Sequence, residues 1–108
     1  SAMSRKVEDA LRHYSRPLYI ERPSLAQEAH RHILHAIGSY MAMGLPVEHV
    51  YHEASDTENI VIPIALEQAL ESALKDAGFK FVPKPEIVRA EELRERLIWV
   101  PKTQVKVD

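Results

Sequence analysis

The 108-residue chain contains no cysteine. Disulfides, thiolate zinc sites and thiol nucleophiles are thereby excluded, and the composition fits a reducing compartment. No apolar run approaches the roughly 18 residues that a membrane span needs. The expected location is therefore cytoplasmic, with no membrane partner; Ser1-Ala2 ahead of Met3 reads as a cloning scar rather than a targeting signal. Glycine is scarce, with three residues at 38, 44 and 78, so no Gly-rich phosphate loop exists. No serine lies in a G-x-S-x-G elbow, and the H-E-x-x-H signature of zinc hydrolases is missing. His49-x2-His52-Glu53 has those residue types in the wrong order. These absences favour a non-enzymatic role.

Basic residues are missing from a whole stretch. Residues 32 to 74 hold six acidic side chains and no lysine or arginine, a net of −6. Residues 1 to 31 hold six basic and four acidic groups, and residues 75 to 108 hold eight and six, so each flank is +2 and the total is −2. The acidic middle opposes a polyanion, which argues against nucleic acid. It reads either as a solvated face or as a docking surface for a basic partner or for the basic ends of a second copy. A rival reading places nucleic acid or a nucleotide on the basic termini, through Arg5, Lys6, Arg12 and Arg16 with Lys80, Lys84, Arg89 and Arg94.

What is present is organised around SLAQEAHRHILHAIGSYMAM, Ser24 to Met43. Ser24 can cap the first turn of a helix, Gly44 can take the left-handed closing conformation, and Pro46 forbids continuation. At about 100° per residue, Leu25, Ala26, Ala29, Ile33, Leu34, Ala36, Ile37, Tyr40, Met41 and Met43 form an apolar arc that must be buried. The opposite side aligns Glu28, His32, His35 and Ser39 at spacings of four, three and four. His30 falls inside the apolar arc, where a histidine is expected to be hydrogen-bonded in the core or at a subunit contact. Gly38, on the polar side, costs about 1 kcal/mol against alanine, which a close backbone approach would explain.

Elsewhere the signals are shorter. Residues 4 to 14 predict a short helix with Val7, Ala10, Leu11 and Tyr14 on one side, and Leu18-Tyr19-Ile20 a connector or edge strand fenced by Pro17 and Pro23. Residues 46 to 53 are read as a strand for their β-branched and aromatic content, with a helix opening at Pro46 as the competing reading. Ile60-Val61-Ile62 predicts a buried strand and Pro63 the start of a helix; the rival is one kinked helix from Thr57. Ile64 to Ala77 predicts a helix with Leu66, Ala69, Leu70, Ala73, Leu74 and Ala77 as its stripe and Gly78 at its end. Phe79 to Val82 reads as a strand, Glu86 to Arg96 as a charged helix, and Leu97 to Val107 as one or two closing strands around Pro101. The chain is expected to be one α+β domain, residues 1 to 108, with a short, mostly antiparallel sheet; a mostly α domain is the alternative.

Five of the six histidines lie between positions 30 and 52. Glu28, His32 and His35 could converge on a divalent ion such as zinc if His49, His52 or Glu53 folded back beside them. Without that convergence no cofactor is expected. The Tyr40, Met41 and Met43 cluster, with His30, forms the candidate interface, because methionine fills irregular apolar gaps and tyrosine combines area with a polar tip. The leading expectation is a protein-interaction or adaptor module that self-associates as a homo-oligomer, binding through the central helix and the acidic middle.

Overall fold

The computed structural model describes residues 5–6, 9–56, 60–86 and 89–99. Strand β1 (Tyr19–Ile20) pairs antiparallel with β2 (Phe81–Val82), Tyr19 opposite Val82 and Ile20 opposite Phe81. Between them run helices α1 (Ala26–Ala42), α2 (Glu48–Asp56) and α3 (Ile64–Asp76), and α4 (Ala90–Arg96) follows β2. This is an α+β domain dominated by helix, in which α1 packs against both α2 and α3. Among the described residues no helix is long and apolar enough to cross a membrane.

The two best-patterned helices end as their glycines require. At the end of α1, the N–H groups of Gly44 and Leu45 donate to the carbonyls of Met41 and Tyr40 at 3.0 and 3.1 Å, and Gly44 has φ +89°. At the end of α3, Gly78 and Phe79 donate to Lys75 and Leu74 at 3.0 Å each, with Gly78 at φ +96°. Each pair of bonds satisfies carbonyls the last turn would leave open, in a conformation that a Cβ would strain. The start of α1 differs from expectation. Ser24 gives no capping bond; it lies within a 3-10 turn, Pro23–Leu25, that leads into the helix. Pro23 presets the backbone for that turn, which moves the helix start past the serine.

Residues 46 to 53 are not a strand. They run into α2, where the Tyr51 N–H donates to the Val47 carbonyl at 3.0 Å. The burial explains the choice: Val47, Val50 and Ala54 are buried and Tyr51 half-buried, at the period of a helix. A strand would have put Val47 and Tyr51 on the face of His49 and Glu53, with Val50 on the other. Packing against α1 decides the matter over local propensity.

Several other segments are shorter than the sequence predicts: the strand expected from Phe79 is confined to Phe81–Val82, and the helix expected from Glu86 runs only over Ala90–Arg96. Arg5, Lys6, Asp9 and Ala10 are helical, but Leu11 and Arg12 already turn, and Tyr14 leaves to bridge Pro63. Ser4 and Val7 lie outside the described residues. Ile60 to Ile62 is extended and buried, which disposes of a kinked helix through it. It forms single bridges instead of a sheet strand, with Ile60 parallel to Trp99. Ser15, buried, donates from both its N–H (2.9 Å) and its hydroxyl (3.2 Å) to the Ile62 carbonyl. Leu97 bridges Tyr19 and the Ile98 N–H donates to Leu18, so the closing segment crosses the core as isolated pairings. The closing strands expected beyond Trp99 fall outside the described residues.

The core joins Ile33 and Ile37 of α1, Leu70 and Leu74 of α3, Ile20 of β1 and Trp99, each at most 1 % exposed. The Trp99 indole N–H donates to the Arg16 carbonyl, so the one polar atom of the largest buried side chain is satisfied. Arg96 ties α4 to the end of β1, donating to the carbonyls of Ile20 (3.3 Å) and Glu21 (2.6 Å), while its other terminal nitrogen lies 3.5 Å from Glu92.

Candidate interaction surface at the hairpin apex

Helices α1 and α2 form a hairpin, and two close contacts set its spacing. Tyr51 lies over Gly38, where a Cβ would meet the Tyr51 ring at 3.4 Å. His30 reaches across the same seam, its Nε2 3.1 Å from the Ala54 carbonyl. The backbone approach that Gly38 permits is therefore made by the chain's own α2. At 3.4 Å an added methyl is in ordinary contact, so Gly38→Ala is expected to keep the packing. Urea unfolding should show it unchanged to about 1 kcal/mol more stable, through the gain in helix propensity.

The apolar arc of α1 divides along its length. Ala29, Ile33 and Ile37 are buried by the neighbouring helices, and Leu34, Ala36, Tyr40 and Met41 are half-buried against them. Past Met41 the cover ends. Met43 is 76 % exposed and Leu45 40 %. Residues 42 to 46, Ala-Met-Gly-Leu-Pro, are all exposed, and none has a polar side chain. Of the four interface candidates, Tyr40 and Met41 border this apex, Met43 stands on it, and His30 lies down the hairpin within the chain. Leu45 and Pro46 were missed as candidates. Their signal was a turn built without polar side chains, whereas connections are ordinarily rich in them.

The exposed arc of α2 runs Glu48, His52, His49, Glu53 at about 100° per residue, so two glutamates bracket two histidines, all four exposed. The His52 ring meets Tyr51 edge-on, centroids 6.1 Å apart. On α1, His32 turns its ring onto Phe79 (5.2 Å, 72° between planes), and the Ser39 hydroxyl donates to the His35 carbonyl at 3.0 Å. Glu28 and His35 are exposed. Among the described residues no three histidine, aspartate or glutamate side chains gather as a metal site, so Glu28, His32, His35, His49 and His52 are not brought together. Of the basic residues near the N-terminus, Arg16 lies 3.5 Å from Glu67. Comparison with known protein families, curated proteins and solved structures finds no match for this chain.

Proposed function

We propose that the chain is a protein-interaction module that docks through the apex of the α1–α2 hairpin together with the acidic face of α2. One observation carries the reading: five consecutive exposed residues, 42 to 46, without a polar side chain, at the tip of a hydrogen-bonded hairpin. Scattered exposed apolar residues are ordinary on any protein; a contiguous group is the mark of a contact surface. Methionine at its centre adapts to irregular partners, and Tyr40 and Met41 extend the apolar area at its border. The bonds that close α1 tie Gly44 and Leu45 to its last turn, which lowers the ordering that binding would require.

The reading is tested by placing a photoreactive benzoylphenylalanine at position 43, or at the exposed Gln68 of α3 as a control, in the cells from which the chain derives. Position 43 is expected to give discrete cross-linked species, either to a second copy or to another protein, that position 68 does not. Equal yields from both positions would contradict the reading.

A further inference from the structure

We infer that this apex takes a basic amphipathic segment of another protein rather than a second copy of the chain, an inference that rests on the apex being a contact surface. Its ground is charge. The sequence of α2, EHVYHEASD, holds three acidic residues and no lysine or arginine. Nor does any lysine or arginine occur from 32 to 74, so α1 brings neither to the apex from His32 onward. Glu48 and Glu53 are exposed, and among the described residues neither is paired with a lysine or arginine; the carboxylates that are belong to Glu67, Glu71 and Glu92.

The helix ends do not offset this. The C-terminus of α1 and the N-terminus of α2 both lie at the apex, and their opposite partial charges, about half a unit each, largely cancel. What remains is the full charge of the glutamates beside an apolar tip. Two copies meeting apex to apex about a two-fold axis would match apolar to apolar, but each α2 would present carboxylates to the other with no lysine or arginine from 32 to 74 to pair with them. A segment with an apolar stripe flanked by lysine or arginine satisfies both halves of the surface. Its apolar residues cover Met43 and Leu45, and its cations meet Glu48 and Glu53.

The test uses the full chain, isotope-labelled for backbone amide NMR, and three probes. They are a leucine–lysine amphipathic peptide of about 14 residues, its leucine–glutamate counterpart, and vesicles of anionic phospholipid. Sedimentation velocity of the protein alone accompanies them. The expected result is a monomer whose amide shifts on adding the basic peptide centre on residues 42 to 53. Affinity should fall as salt rises, exceed that for the acidic peptide by about tenfold or more, and drop comparably in Glu48→Lys/Glu53→Lys. Equal binding of both peptides at the apex, or a dimer formed through it, would overturn the basic-partner inference while leaving the apex as a contact surface. Vesicle binding at the apex without peptide binding would overturn it in favour of a lipid surface. Shifts centred elsewhere, or no binding of any probe by a monomeric protein, would remove both the inference and the reading beneath it.

Discussion

Trp99→Ala should lose about 3–5 kcal/mol of unfolding free energy, the range for truncating a fully buried aromatic. Trp99 is 0 % exposed and sits where the chain's last described segment meets the extended stretch at Ile60. Removing the indole opens a cavity among side chains contributed by several elements, and it also leaves the Arg16 carbonyl without its donor. Because a domain of this size has only about 5–15 kcal/mol in total, the variant is expected to be marginal at 37 °C. Urea unfolding followed by far-UV circular dichroism measures the loss. A loss below about 1 kcal/mol, typical of surface positions, would show that residues 97 to 99 do not close the core.

The second large effect separates two residues on one apolar arc. Ile37→Ala should cost about 2–5 kcal/mol, since Ile37 is 0 % exposed between α1 and its neighbours. Met43→Ala should change stability by no more than about 0.5 kcal/mol, since three-quarters of that side chain faces water. The same unfolding assay applied to both variants reads the difference directly. Similar losses at the two positions would mean that the end of α1 is covered within the folded chain, and that the apex is core rather than surface.

That division marks the boundary of what the sequence discloses. The apolar period over 25 to 43 and over 64 to 77, with a glycine after each, predicts α1 and α3 closely, because both signals are local and agree. The period cannot say where neighbouring elements stop covering a face, so it assigns Met43 the same fate as Ile37. Helix α2 escapes for a related reason. Val47, Val50 and Tyr51 favour a strand locally, and only contact with Gly38 and the Ala29–Ile37 face of α1 makes the helical period the buried one. The isolated pairings of Ile60 with Trp99 and Tyr14 with Pro63 are non-local, and nothing in a short β-branched run foretells that it will cross a core without joining a sheet.

The candidate site was legible by composition more than by geometry. The acidic middle and the Tyr40, Met41 and Met43 cluster can be read from the sequence; the structure puts Glu48 and Glu53 of that middle on the helix that follows the apex, while Glu67 and Glu71 lie on α3. Two histidines on the row with Glu28 are drawn off individually, His32 onto Phe79 and His35 into the solvent-exposed side of α1. Spacing of three and four places side chains on a common face, but convergence on an ion needs donors from a second element aimed at the same point.

The most direct measurement of whether binding resides in the apex is the affinity of the leucine–lysine peptide for Met43→Ser/Leu45→Ser relative to the unmodified chain. Both side chains are exposed, so the variant should unfold within about 1 kcal/mol of its parent yet bind at least about tenfold more weakly, a difference of about 1.4 kcal/mol. Unchanged affinity in a fully folded variant would contradict the account.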